Sequence, residues 1–82
     1  SEYLVETRLP LESFAGELAC KRITPDQMKD LTIQFEAIQK LEYKTGAEYS
    51  FASLELKFHT SVYTATQIPE LAKLLEQLHD KC

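Results

Sequence analysis

The sequence predicts an all-α protein, an antiparallel bundle of about four helices in a single domain. Apolar residues recur at spacings of three and four, and no useful length of chain alternates with period two. Only two glycines and three prolines interrupt the 82 residues, which favours a few long helices. A chain of this size buries about 60–65% of its unfolded surface, so we expect marginal stability without a partner or ligand.

The first helix is predicted from about Glu2 to Arg22. Arg8 lies at the centre of its apolar stripe, where a charge is unfavourable unless it is paired. Pro10 lies in the same segment and removes a backbone donor, so the helix either kinks there or begins its regular part there. The stripe itself consists of Leu4, Leu11, Ala15 and Leu18.

The second helix has the clearest start. Thr24 is a favourable N-cap, Pro25 suits the first helical position, and Gln27 at the third position can bond back to the cap. Gly46 is predicted to end the segment near a C-cap. The apolar stripe consists of Met28, Leu31, Phe35, Ile38 and Leu41.

The third helix is predicted from about Glu48 to Thr66, and Pro69 opens the fourth. The stripe of the third helix comprises Phe51, Leu54, Phe58, Val62 and Ala65. A polar line along its edge comprises Glu48, Glu55, His59 and Thr66. The predicted buried face of the fourth helix comprises Leu71, Leu74, Leu75 and Leu78.

Composition excludes several classes of function. A net charge of −4 argues against nucleic-acid binding by this segment, since a phosphate-binding surface needs clustered lysine and arginine. No apolar run is long enough to span a membrane, and no secretory leader is visible. Cys20 and Cys82 form no C-x-x-C pair, and we expect Cys20 to be a small core residue. A reduced, cytoplasmic location is the expectation.

Glu55 and His59 are four residues apart and therefore share one face of a helix. A carboxylate and an imidazole at this spacing could share a zinc, nickel or iron ion. The alternative is a solvated pair or a hydrogen-bonded core histidine. Two ligands make an incomplete site, so we expect metal affinity in this segment to be weak or absent.

Arg8 has two interpretations. Its planar guanidinium could bind a carboxylate or phosphate of a ligand. Equally, it could form a structural ion pair with Glu12 or Glu55. We expect His79 to be a solvated histidine at a helix end. Three tyrosines could donate hydrogen bonds into a pocket, but are expected to pack at its rim: Tyr43, Tyr49 and Tyr63.

Signatures of catalysis are missing from the sequence. It contains no G-x-S-x-G, phosphate loop, dinucleotide fingerprint or H-E-x-x-H motif. We therefore predict no catalytic residues and no enzymatic activity.

These residues resemble the FadR C-terminal-like (FCD) domain, the effector-binding domain of GntR-type transcription regulators. Glu55-Leu56-Lys57-Phe58-His59 looks like the family's D-x-x-F-H motif, and Pro69 and Leu71 fall where the family often reads N-P-x-L. The resemblance to the opening helix is carried by Glu6, Arg8, Leu11, Glu12, Ala15, Leu18, Ala19, Arg22 and Thr24.

The resemblance implies an all-helical antiparallel bundle that binds a small organic acid, often through a divalent metal at its centre. Glu55 stands at the position of the aspartate ligand and His59 at that of the first histidine ligand. Arg8 stands at the arginine that often contacts the effector carboxylate.

The sequence also departs from the family pattern. Glu55 replaces aspartate and lengthens the arm by one methylene, and Ile68 stands where asparagine is common. The family domain continues through further helices that carry two more histidine ligands, and a winged helix-turn-helix precedes it. We therefore expect these 82 residues to be roughly the first two-thirds of an effector domain, with DNA contacted by another part of the protein.

The leading functional hypothesis is a ligand-sensing module in which an effector shifts the arrangement of two DNA-binding domains in a homodimer. The alternative is a structural or oligomerisation module without a ligand, and a metal-dependent enzyme is a distant third. In the first two cases we expect self-association through apolar stripes left partly open.

Overall fold

A computed structural model of the protein describes residues 2–41, 46 and 48–81, with side chains for 6–41, 46 and 50–80. These ranges contain four α-helices and no strand, which confirms the predicted all-α class. None of the described helices is both long enough and apolar enough to cross a membrane. The helices are α1 (Glu2–Arg22), α2 (Pro25–Leu41), α3 (Glu48–Thr64) and α4 (Pro69–Lys81).

Helix α3 is the centre of the bundle. It packs against each of the other three helices, and α1 also packs against α4. Among the described residues α2 packs only against α3. The Cα atoms extend over 35 × 34 × 15 Å, and the short dimension corresponds to about two layers of helices at axis separations of roughly 8–10 Å. The bundle is therefore a slab with α2 at one side.

The core lies where α1, α3 and α4 meet. Ala15, Ala72 and Leu75 are buried around Tyr63, and small alanine side chains allow the helix backbones to approach closely. The predicted burial of Leu75 is confirmed, whereas that of Leu74 is wrong, since this side chain is 43% exposed. The face of α4 that meets α1 and α3 is centred on Ala72 and Leu75, three residues apart, and it turns Leu74 outward.

Helix α2 buries less of its predicted stripe than expected. Ile38 and the polar Gln34 are buried, but Met28 and Phe35 are about half exposed. Because α3 is the one described helix that packs against α2, a single narrow face of α2 is covered. Phe35 still contacts α3 at its edge, with its ring 6.4 Å from that of Phe58.

The turn between α1 and α2 has the predicted capping box. The Gln27 backbone N donates to Thr24 Oγ1 at 3.1 Å, and the Thr24 backbone N donates to Gln27 Oε1 at 3.0 Å. Gln67 Nε2 donates to the same Gln27 oxygen at 2.7 Å, and Arg22 Nη1 donates to the Thr66 carbonyl at 3.1 Å. These bonds join the α1–α2 turn to the α3–α4 turn.

Helix α3 ends at Thr64, so the predicted helical position of Thr66 is wrong. Gln67 adopts a φ of 64°, in the left-handed region that stops a right-handed helix. Thr66 is fully buried in the turn, where its Oγ1 donates to the Tyr63 carbonyl at 2.6 Å and accepts from the Ile68 backbone N at 3.2 Å. The buried Thr66 hydroxyl is therefore satisfied by two hydrogen bonds within the turn, although sequence periodicity placed this residue on α3.

The structure also tests three predictions about Pro10, Cys20 and Gly46. Helix α1 begins before Pro10 and continues through it. The predicted burial of Cys20 is wrong: the side chain is exposed, since Ala15 and Ala19 form the buried line and Cys20 lies about 100° further round the helix. Helix α2 ends at Leu41, and Gly46 lies in a turn at φ 79°. Five residues named in the sequence predictions have side chains outside the described part of the structure: Leu4, Tyr43, Glu48, Tyr49 and Cys82.

Gln34 links α2 to α3 and provides a test of this packing. Its Nε2 donates to Asp30 Oδ2 at 2.8 Å and to Ser61 Oγ at 2.9 Å. We expect Gln34→Ala to lower the free energy of unfolding by about 1–3 kcal/mol, since it removes both bonds and leaves Ser61 without this partner. Gln39→Ala is the matched control, because Gln39 is exposed on the same helix. Urea denaturation measures the free energy of unfolding of both variants. Equal losses would contradict the finding that Gln34 is buried and hydrogen-bonded to α3.

Candidate functional site

Arg8 and Glu12 face the interior from the first half of α1. Arg8 Nε lies 2.7 Å from Glu12 Oε1, and the two side chains are only 23% and 25% exposed. The atoms are at ion-pair distance, yet neither makes a well-aligned hydrogen bond with a described residue. Of the two interpretations of Arg8, the structure contains the ion pair with Glu12, one helical turn away.

Tyr63 occupies the centre of the core, so its expected position at a pocket rim is wrong. The residue is 3% exposed, and its hydroxyl is buried without a hydrogen-bond partner in the described structure. Burial raises the pKa of this hydroxyl; Glu12 raises it further, Arg8 lowers it in part, and Glu76 raises it slightly. Charged side chains of α1 and α4 therefore shift the pKa of the Tyr63 hydroxyl, which belongs to α3.

His59 and Glu55 lie one helical turn apart on α3. Their nearest atoms, His59 Nε2 and Glu55 Oε1, are 3.9 Å apart, and both side chains remain partly exposed. The His59 ring stacks beside Tyr63 with centroids 6.4 Å apart and planes inclined by 29°. His59 thus connects the buried phenol to the more exposed carboxylate of Glu55.

His79 lies near the end of α4, as expected, but its side chain is only partly solvated. Its ring centroid is 5.5 Å from that of His59, and its Nδ1 is buried without a hydrogen-bond partner among the described residues. The cause is tertiary, since α4 packs back along α3. A sequence signal was nevertheless present, because His79 follows Leu71 and Leu75 at spacings of four on the packed face of α4.

We define the polar cluster as Arg8, Glu12, His59, Tyr63 and His79. It runs across the α1–α3–α4 contact, with Glu55 at its exposed edge. Guanidinium and phenol groups can donate to an anion, whereas imidazoles and carboxylates can bind a cation. In the part of the chain that the structure describes, no group of three or more His, Cys, Asp or Glu side chains could hold a metal ion.

Two surface clefts lie near the α3–α4 turn, away from the residues predicted from sequence. The larger, of about 310 Å³, is lined by Thr64, Gln67, Pro69, Ala72, Lys73 and Glu76. The smaller, of about 120 Å³, is lined by Gln27, Asp30, Ser61 and Thr64. Both are open to solvent, and neither includes Arg8, Glu55 or His59.

Comparison with known proteins identifies the family. No curated protein and no solved structure shows a significant match to the chain. The model of the FCD domain matches residues 3–82, which is nearly the whole sequence. FCD domains are the effector-binding domains of GntR-type transcription regulators, a class of regulators rather than enzymes. The match agrees with the motif resemblance and with the helical fold, and the chain therefore belongs to the FCD domain family.

Proposed function

We propose that this chain is the ligand-sensing part of a GntR-type regulator and that it binds a small organic acid beside Arg8. Membership of the FCD family supports the class of function. The chemistry of the polar cluster supports the class of ligand. The corresponding regulator would be a cytoplasmic homodimer whose DNA contacts are made by another part of the protein.

The observation that carries the proposal is a set of buried polar atoms that make no well-aligned hydrogen bond with any described residue. Arg8 Nε, Glu12 Oε1 and Tyr63 Oη all belong to this set. Buried polar atoms in native proteins are nearly always paired, and each unpaired one costs about 1–3 kcal/mol. A ligand that offers acceptors to Arg8 and Tyr63 would give the Tyr63 hydroxyl a hydrogen-bond partner and would give the Arg8 guanidinium a better-aligned partner than Glu12.

A carboxylate is the ligand group that fits these donors. The guanidinium of Arg8 can hold both carboxylate oxygens, and the Tyr63 hydroxyl can donate to one of them. Glu12 now occupies the position beside Arg8, with its Oε1 2.7 Å from Arg8 Nε. An incoming acid must therefore compete with Glu12 for the same cation.

This competition provides a way to couple binding to a change of state. When the ligand pairs with Arg8, Glu12 loses its cation and is driven away from the ligand by like charge. A ligand shifts a conformational equilibrium only through different affinities for the two states. In this case the states differ in whether Arg8 is paired with Glu12 or with the ligand.

Glu55 and His59 are the residues that would hold a divalent metal, with zinc or nickel suited to an imidazole and a carboxylate. Their nearest donor atoms are 3.9 Å apart, close to the separation of roughly 3.3–3.5 Å expected for two ligands of one tetrahedral ion. A bound ion would add positive charge for the effector carboxylate. Organic acid binding through Arg8 and Tyr63 does not require it.

Two substitutions with opposite expected signs test the proposal. Arg8→Gln should weaken binding of the dicarboxylate probes malonate and succinate by at least about tenfold, since a charged hydrogen bond contributes about 1.5–3 kcal/mol. Glu12→Gln should strengthen the same binding, because it removes the competing carboxylate. Isothermal titration calorimetry in the presence of a chelator measures both effects without metal.

Lys21→Gln is the matched control, since Lys21 is an exposed cation on the same helix. It should bind like the wild type. Succinamide, the neutral analogue of succinate, should not bind. The proposal fails if no carboxylate binds, or if Arg8→Gln and Lys21→Gln behave alike.

A second function, a structural module that pairs two copies, is favoured by the apolar surface. Large apolar side chains that are 40–57% exposed occur on the first three helices and on α4, namely Leu9, Phe14, Met28, Ile33, Phe35, Leu56 and Leu74. Burying such surface contributes roughly 25 cal/mol per Å². Sedimentation velocity at micromolar concentration should then show a dimer, and a strictly monomeric species that unfolds cooperatively would exclude this function.

A further inference from the structure

We propose that the larger of the two clefts is a second binding site, and that it takes a free α-amino acid with a small apolar side chain. The cleft lies between α4 and the α3–α4 turn and has a volume of about 310 Å³. Pockets that bind small molecules have volumes of roughly 300–1,000 Å³. This site is separate from the proposed organic acid site, since no residue of the polar cluster lines the cleft.

One face of α4 forms most of the cleft. The lining residues of this helix are spaced by three, one and three positions, which places them on a single helical face, namely Pro69, Ala72, Lys73 and Glu76. Thr64 at the end of α3 and Gln67 in the turn line it as well. Ala72 is only 8% exposed and belongs to the core, so the cleft reaches down to the packed interior.

Two opposite charges line this cleft without being paired. Lys73 and Glu76 are three residues apart on α4, a spacing at which oppositely charged side chains can meet. The order of lysine before glutamate is the less favourable orientation for such a pair. Neither side chain forms an ion pair with any described residue. One cation and one anion are therefore both available to a ligand in the same cleft.

The zwitterion of an α-amino acid matches these two charges. Its carboxylate can accept hydrogen bonds from the Lys73 ammonium, and its own ammonium can donate to the Glu76 carboxylate. A small apolar side chain would then lie against Pro69 and Ala72. A simple organic acid would bring its negative charge near Glu76 without a cation to pair with it, which is unfavourable. The cleft therefore favours a zwitterion over an anion.

Gln67 holds the turn side of the cleft in a fixed position. Its φ of 64° is unfavourable for a residue with a Cβ atom. The side chain is held in place from another turn, because its Nε2 donates to Gln27 Oε1 at 2.7 Å and to the Arg22 carbonyl at 3.3 Å. Strained residues that the surrounding structure holds in place are concentrated at binding sites. This side of the cleft is thus formed before a ligand arrives.

The experiment is an NMR chemical-shift titration of the 82-residue chain with L-valine and with two matched probes. Isovalerate is valine without the ammonium group, and isobutylamine is valine without the carboxylate. We expect L-valine to shift the backbone amide signals of Gln67, Lys73 and Glu76 in a saturable manner. Each matched probe should bind there at least about tenfold more weakly, since it lacks one charged hydrogen bond.

Substitutions at the two charges provide the second measurement. Lys73→Gln and Glu76→Gln should each weaken L-valine binding by at least about fivefold, because the pairs are partly exposed to solvent. Lys57→Gln and Glu70→Gln are the matched controls, since both change exposed charges that do not line the cleft. Both controls should bind like the wild type.

Three results would overturn the proposal. L-valine might shift none of the three cleft signals, isovalerate or isobutylamine might bind there as tightly as L-valine, or Glu70→Gln might weaken binding as much as Glu76→Gln. The malonate and succinate titrations report on Arg8 and not on this cleft. Failure of the amino acid site and failure of the proposed function are therefore separate results.

Discussion

Replacing Leu75 by alanine is expected to lower the free energy of unfolding by about 2–5 kcal/mol. Leu75 is completely buried, and it contributes to the core beside Ala15, Tyr63 and Ala72. Its removal loses the transfer free energy of the side chain and leaves a cavity between helices that already approach closely. A domain of 82 residues has a total stability of only about 4–12 kcal/mol, so this one substitution would remove a large part of it.

Leu74→Ala is the matched control for this prediction. Leu74 is the preceding residue on α4 and has the same side chain, but it is 43% exposed. Its substitution should change stability by about 0.5 kcal/mol or less, as is common at surface positions. Urea unfolding followed by circular dichroism compares the two variants. Similar losses for both would mean that α4 does not present Leu75 to the core.

The second large effect is expected from Tyr63→Phe, which should stabilise the protein while weakening organic acid binding. The Tyr63 hydroxyl is buried and has no hydrogen-bond partner among the described residues, so its removal relieves a desolvation cost of about 1–3 kcal/mol. The same hydroxyl is one of the two donors proposed for the carboxylate. Gains in stability at the expense of function are typical where a binding site is held in an unsatisfied state. A loss of stability in the absence of ligand would show that the hydroxyl is already paired.

The pH dependence of stability provides an independent check on Tyr63. Burial raises the pKa of its hydroxyl above the ordinary value of about 10, and Glu12 adds to this shift. Because the folded state binds this proton more tightly, the associated stability is fully present below about pH 10 and is lost as pH rises through the folded-state pKa. The difference in free energy of unfolding between wild type and Tyr63→Phe should therefore vary with pH only in this alkaline range. A difference that stays constant up to pH 12 would contradict the raised pKa.

Local features of the sequence were sufficient to predict the helices and the capping box in the α1–α2 turn. The capping box of Thr24 and Gln27 depends on atoms three residues apart, so its two hydrogen bonds could be predicted from the chain alone. The same is true of the start of α4 at Pro69 and of the pairing between Arg8 and Glu12, which was one of two interpretations. Each of these interactions closes within about one helical turn, where secondary structure fixes the geometry.

The sequence by itself determined the all-α class, the family and the presence of Arg8, Glu55 and His59 on helices. Only the tertiary structure decided which faces are covered. It buried Tyr63 in the core, brought the ring centroid of His79 to 5.5 Å from that of His59, and left Leu74 and Cys20 exposed. Periodicity states which residues share a helical face, but not how each helix is rotated toward its neighbours. That rotation is set by packing between residues distant in sequence, here by Ala15, Ala72 and Leu75 closing around Tyr63.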